Sequence, residues 1–318
     1  MKPETARRGQ VSLLLRVLVT VTIFCTIVWL LPMKEVWKAM TSIGWWRWLA
    51  VVCVFGIGHV VSAYKWSQLV RAAGSPLKFA NALRAHMAGL FANIWLPSIV
   101  GGDVVRAAWI SGHHGIVVPA VIGLLDRAID LLALMLLIAL GAILVGDAGG
   151  VLAGPVLRGA GALLALGIPI GLIALHWLQP EHLPAVVRGP GMRVIGIART
   201  IYAKPGPAIW SLVLAVIVQF TFVGLNFFIG TAMGITVPFA VWLIAWPLAK
   251  VVALLPVSLG GLGVREAALA VLLTPFAVTG TLAVAEALVW QSVLFGFGLT
   301  AGIVLLFSGY RPVKPEQS

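Results

Sequence analysis

Four stretches of this chain, Val11 to Leu31, Trp48 to Tyr64, Val117 to Val145 and Leu282 to Phe307, are almost continuously apolar. Each reaches or approaches the ~20 residues needed to cross a bilayer core. No water is available inside a bilayer to satisfy backbone N–H and C=O groups, so segments of this kind cross as helices. Hydrophobic residues make up 61% of the chain and charged residues 10%. Ordinary soluble domains have about 45–50% and about 25%. The sequence therefore describes an all-α integral membrane protein, and the soluble enzyme classes are excluded.

A second feature occurs twice. Leu96-Pro97-Ser98-Ile99-Val100-Gly101-Gly102-Asp103-Val104-Val105-Arg106-Ala107-Ala108 and Leu255-Pro256-Val257-Ser258-Leu259-Gly260-Gly261-Leu262-Gly263-Val264-Arg265-Glu266-Ala267 share the pattern L-P-x3-G-G-x2-V-R-x-A. The copies stand 159 positions apart in a chain of 318 residues, as a duplicated unit would leave them. Leu, Val and Ala match cheaply in so apolar a sequence. The weight rests on proline, the glycine pair and arginine at fixed spacing.

The net charge of +12 lies mostly in short connections between apolar segments, where it reads as an orientation signal rather than as a nucleic-acid surface. Arg7 and Arg8 place the N-terminus in the cytoplasm. Lys65, Arg71, Lys78 and Arg84, then Arg188, Arg193, Arg199 and Lys204, mark two further cytoplasmic loops, and Arg311 and Lys314 mark a cytoplasmic tail. Lys34, Lys38, Arg47 and Arg158 are left outside, and Arg106, Arg127, Lys250 and Arg265 lie at membrane depth. Met33 to Arg47 mixes lysines with Trp37, Trp45 and Trp46, the composition of a segment at the headgroup level.

This distribution holds only if neither motif segment crosses. Ala85 to Leu96 and Pro238 to Leu255 then enter and turn back at their proline and glycine breaks. The expectation is one polytopic domain over 1–318, with halves near 1–150 and 151–318. It has six full spans and two re-entrant segments, arranged as an inverted repeat. Eight full spans, with parallel halves, form the alternative. Inverted halves with matching broken helices are a pattern of transporters that bind substrate near the midplane.

Helices beginning after Gly101-Gly102 and Gly260-Gly261 would point free N–H groups into the interior, with Arg106 and Arg265 on their first turns. Guanidinium groups offer a planar fork of donors, so this combination suits a phosphate-bearing anion. The opposing reading is that both arginines snorkel and anchor the segments. Asp103 is placed to cap the first helix, and Leu262 denies the second copy that cap. Glu266 points about 100° away from Arg265 and either pairs across the bundle or faces water.

Asp126, Arg127 and Asp130 sit inside a span, where ionisable groups are costly. Arg127 and Asp130 are spaced to pair on one helix face. The choice is between a structural ion pair and a carboxylate that takes up a proton in transport. Lys250 and Glu286 are similar candidates, whereas Gln219, Asn226 and Gln291 suit hydrogen bonds between helices. Cys25 and Cys53 indicate neither disulfide nor metal site, and no metal-ligand spacing, nucleotide-phosphate loop or nucleophile elbow is present. No cofactor is expected. The first run, though preceded by basic residues, lacks a cleavage site and reads as a retained anchor.

Asn93-Ile94-Trp95-Leu96-Pro97 with Gly101-Gly102-Asp103-Val104-Val105-Arg106, together with Pro256 to Glu266, resembles the transmembrane domain of lysylphosphatidylglycerol synthase/flippase proteins. The resemblance covers nearly the whole chain and is most specific in the second run. It implies movement of a lipid or lipid-linked intermediate across the bacterial cytoplasmic membrane, with anionic membrane lipids and lipid-biosynthesis enzymes as partners. The first copy reads Ser98-Ile99-Val100 where relatives often have another glycine-rich form. The chain ends at Ser318 without an aminoacyltransferase domain, so it is not expected to make a lysyl-lipid itself. A membrane-embedded lipid-modifying enzyme, with Asp103, Glu266 or His113 as acid or base, is the alternative from another class, and an accessory subunit of a lipid pathway is a third.

Overall fold

A computed structural model describes residues 33–96, 101–114, 117–145, 203–254 and 262–307, with short pieces at 25, 159, 192, 195–197 and 199–200. The described elements are helical. They are α1 (Met33–Thr41), α2 (Trp45–Ala72), α3 (Phe79–Trp95), α4 (Gly101–His114), α5 (Val117–Val145), α6 (Gly206–Ala232), α7 (Phe239–Ala253), α8 (Val264–Leu273) and α9 (Gly280–Phe307). Apart from residues 25 and 159, the expected span Val11 to Leu31 and the further apolar stretch 156–178, one of the six expected spans, lie outside the described residues. So do most of the Arg188 to Lys204 loop, the tail, Pro97 to Val100, Gly260 and Gly261.

Among the described residues four helices, α2, α5, α6 and α9, are long and apolar enough to cross a membrane. At 1.5 Å per residue, the 28 residues of α2 extend about 42 Å, beyond the ~30 Å hydrocarbon core. Their outward faces remain apolar. Ile57, Leu124, Ile143, Ile217 and Ile303 are each more than half exposed. So large an apolar surface suits lipid rather than water. Trp37, Trp45 and Trp46 are exposed on α1 and at the start of α2, and α1 packs against α9.

The structure lengthens two of the elements read from sequence. α2 does not end at Tyr64. It runs on to Ala72 and carries Lys65 into the interior, where the residue is 1% exposed. Lys65 is therefore not part of a cytoplasmic loop, because Trp66, Leu69 and Val70 continue the buried face past it. Likewise α3 begins at Phe79 rather than Ala85, taking in Arg84, and its 17 residues reach about 25 Å.

A repeat emerges that the proline and glycine motif does not contain. At the end of α2, Ser75 N–H donates to Val70 O, Gly74 N–H to Arg71 O and Ala73 N–H to Leu69 O. At the end of α6 the same three bonds recur 160 positions on: Ile235 to Gly230, Gly234 to Thr231 and Met233 to Ile229. This is the Schellman arrangement, which needs a left-handed residue after the helix. Gly74 (φ 84°) and Gly234 (φ 92°) supply it. Phe79-Ala80 and Phe239-Ala240 then open α3 and α7 at the same offset.

Packing repeats as well. α2 lies on α6, α3 lies on α9 and α7 on α5, so exchanging the two sets of helices leaves the pattern of neighbours unchanged. α3 packs with α4, and α7 with α8. The α3 and α4 pair is an antiparallel hairpin, since Gly101 adjoins Leu96 while Arg106 reaches back to Gly89. Its backbones approach so closely that a Cβ on Gly102 would stand 2.5 Å from the Gly89 carbonyl oxygen.

Candidate functional site

The hairpin α3/α4 brings Asp103 and Arg106 against α2 and α5, where six charged side chains alternate in sign along one chain. Asp130 pairs with Lys65, and Lys65 Nζ lies 3.1 Å from Asp126 Oδ1. Asp126 Oδ2 lies 3.3 Å from Arg106 Nη1, Arg106 Nη2 lies 3.3 Å from Asp103 Oδ1, and Asp103 pairs with Arg127. The second Arg106 contact meets the distance for an ion pair but lacks hydrogen-bond geometry. Trp66 closes the site from one side, with the Arg106 guanidinium 4.5 Å from its ring centroid. Three cations and three carboxylates cancel, which makes burial of the group tolerable.

Several expectations are revised here. Arg127 and Asp130 do not pair with each other, although their spacing permits it, because each finds a partner on another helix. Asp103 stands in the first turn of α4 and joins the charge chain, the residues before Gly101 that it would cap lie outside the described ones, and Asn93 of α3 accepts the Gly102 N–H at 2.9 Å. The second copy does have a cap after all. Glu266, at the third position of α8, accepts the Gly263 N–H at 2.7 Å and also holds Arg265 Nη2 at 2.8 Å. Glu266 thus neither pairs across the bundle nor faces water. Both helix ends offer fewer free N–H groups than the sequence suggests.

Two cavities adjoin. The inner one, of about 320 Å³, is lined by groups that include Asp103, Arg106, Asp126, Asp130 and Gln219. The outer one, of about 420 Å³, is lined by Arg265 and Gln291 and by apolar residues that include Trp95 and Leu96, both exposed. Asn93 and Lys250 line both. The Lys250 ammonium is 2.9 Å from Gln219 Oε1 and 5.0 Å from the centroid of Trp246. No carboxylate among the described residues pairs with it, unlike Lys65, Arg106, Arg127 and Arg265.

Arg265 donates to Gln291 Oε1 at 2.6 Å, and its Nε meets no partner among the described residues. The two arginines of the repeated motif are therefore not equivalent. Arg106 is built into the charge chain of the inner cavity, and Arg265 lines the outer one. Gln219 and Gln291 do join helices, whereas Asn226 donates to Phe222 O of its own helix. Glu286 is fully buried, and neither carboxylate oxygen has a hydrogen-bond partner among the described residues. His113 lies on α4, and Gly260 and Gly261 fall outside the described residues.

Reading from sequence missed Lys65. Its signal was present: a single lysine followed by Trp66 and by Leu69-Val70 at helical spacing continues an apolar face. It also missed that His59 and His86 meet, with Nδ1 and Nε2 3.0 Å apart, which no local pattern announces. Among the described residues no group of three or more His, Cys, Asp or Glu is placed to hold a metal ion.

No curated protein and no solved structure matches the chain. The model of the lysylphosphatidylglycerol synthase transmembrane region matches residues 13–302. With four apolar helices of spanning length around buried, mutually paired charges, the chain belongs to that family and is a multi-pass membrane protein related to lipid handling.

Proposed function

We propose that this protein moves a lipid bearing an anionic, phosphate-containing headgroup across the bacterial cytoplasmic membrane, and that the headgroup passes Lys250. The observation that carries the proposal is the position of Lys250. It is a cation at the junction of two cavities whose only hydrogen-bond partner among the described residues is neutral Gln219. Charges at membrane depth are expensive unless compensated. The neighbouring cations have carboxylate partners, and an anion arriving at Lys250 supplies the missing one. Arg265 reaches the same junction from the outer cavity, and the apolar walls around Trp95 and Leu96 suit acyl chains.

The halves are read as inverted, with α3/α4 and α7/α8 as hairpins entering from opposite sides and both termini in the cytoplasm. Repeated turns, exchange-symmetric packing and the distribution of basic residues support this arrangement. α2, α5, α6 and α9 are then four of six full spans. Broken helices at the interface of such halves give one site access to both sides as the halves rock.

The test is translocation in proteoliposomes of fluorescent phosphatidylglycerol, compared with fluorescent phosphatidylcholine. Protein-dependent movement of the anionic lipid in excess of the zwitterionic one is the expected result. Equal rates with and without protein would discard the proposal.

A further inference from the structure

On the wall of the inner cavity His59 of α2 and His86 of α3 share one hydrogen bond, Nδ1 to Nε2, at 3.0 Å. Such a bond needs one proton between the rings, so each donor assignment fixes both tautomers. Whichever ring donates, one outer nitrogen carries a hydrogen and the other is bare. The outer atoms are His59 Nε2 and His86 Nδ1. Both are buried, and neither has a partner among the described residues. The pair therefore has one vacant position for a proton, and a proton entering at one end shifts the bond and emerges at the other.

His59 is boxed by three phenyl rings: Phe297 stacked at 5.6 Å, Phe222 at 5.5 Å and Phe55 edge-on at 4.4 Å. Aromatic faces favour a cation without adding a fixed negative charge. The ionisable groups that share the cavity wall with the pair are Asp103 and Arg106 on α4, Asp126, Arg127 and Asp130 on α5 and Lys250 on α7, and Lys65 on α2 and Glu286 on α9 are fully buried. Six of these cancel within the charge chain. The Phe222 ring contacts both sites, lying 5.5 Å from the His59 ring and 5.9 Å from Lys250 Nζ.

We infer that the His59–His86 pair is a proton-binding site linked to the anion site, taking up one proton from the aqueous phase when an anionic headgroup occupies the cavity beside Lys250. The inference rests on the headgroup reading and adds the coupling ion to it. An anion beside Lys250 and a proton on the histidine pair attract each other. Linkage makes that attraction reciprocal, so each binds more tightly when the other is present. The burial of the outer nitrogens keeps a bound proton from leaking while the headgroup moves.

The experiment is nitrogen-15 NMR of histidine-labelled protein at about pH 6, near the usual titration range of imidazole. Nanodiscs of phosphatidylcholine alone are compared with nanodiscs containing phosphatidylglycerol, and translocation of fluorescent phosphatidylglycerol is measured on the same preparation. Phosphatidylglycerol is expected to convert one of the two coupled rings to imidazolium, with uptake of one proton per chain. His59→Gln is expected to abolish that uptake, including any signal at His86. Translocation with both rings still neutral overturns the proton site and leaves the transport reading standing. Ring protonation without translocation supports the proton site and removes the transport reading. Neither one overturns both.

Discussion

Lys65 Nζ lies 3.1 Å from Asp126 Oδ1, joining the C-terminal half of α2 to the N-terminal half of α5. The lysine is 1% exposed and serves two carboxylates, since Asp130 also pairs with it. It is the one cation in the charge chain with an aspartate from α5 on each side.

Lys65→Met leaves Asp126 with Arg106 alone and Asp130 without a partner. Removing one member of a buried pair costs about 3–5 kcal/mol. Thermal unfolding of the purified protein is expected to show a large loss, and adding Asp130→Asn to be partly restorative. Equal stability of the single variant and the parent would mean that the pairs contribute nothing.

Arg106→Ala and Arg265→Ala should fail differently. Arg106 is 5% exposed within the charge chain, so its loss leaves three carboxylates against two cations in a buried group and lowers stability by about 3–5 kcal/mol. Arg265 lines the outer cavity, and Glu266 keeps its bond to Gly263 without it. Arg265→Ala is expected to fold and to lose translocation of fluorescent phosphatidylglycerol. The comparison is melting temperature against transport rate for each variant, and identical profiles would contradict the distinction.

Lys250→Gln removes a cation that no described carboxylate needs. Stability should stay within about 1 kcal/mol of the parent, while transport of the anionic lipid falls roughly 10- to 100-fold, the equivalent of one lost charge-assisted hydrogen bond. Parallel unfolding and translocation measurements check it. Unchanged transport would take Lys250 out of the pathway.

Gly74→Ala and Gly234→Ala should cost nearly the same, about 1–2 kcal/mol each, from left-handed backbone alone. At neither position would a Cβ meet any atom within 4 Å. Gly102→Ala acts through contact instead, because its Cβ would stand 2.4 Å from Asn93 Oδ1 and 2.5 Å from Gly89 O. Parting the α3/α4 hairpin is expected to cost about 1–3 kcal/mol. Unfolding of the three variants, with cross-linking between α3 and α4 for the last, distinguishes strain from clash.

What the sequence by itself determined is local in origin. Apolar length made Val117–Val145, Gly206–Ala232 and Gly280–Phe307 membrane helices, since no other structure satisfies their backbone in lipid. Proline, glycine and arginine at fixed spacing mark a repeated segment, and the family was readable from the same residues. Partnership was decided only in three dimensions. Arg127 and Asp130 sit at pairing distance along α5, yet Asp103 takes the first and Lys65 the second. Glu266 turns back onto its own helix end and Arg265, and His59 meets His86 across two helices. A helix face shows which side chains share a direction. Which helix is laid against that face is set by the packing of α3/α4 on α2 and α5, and the charges are arranged accordingly.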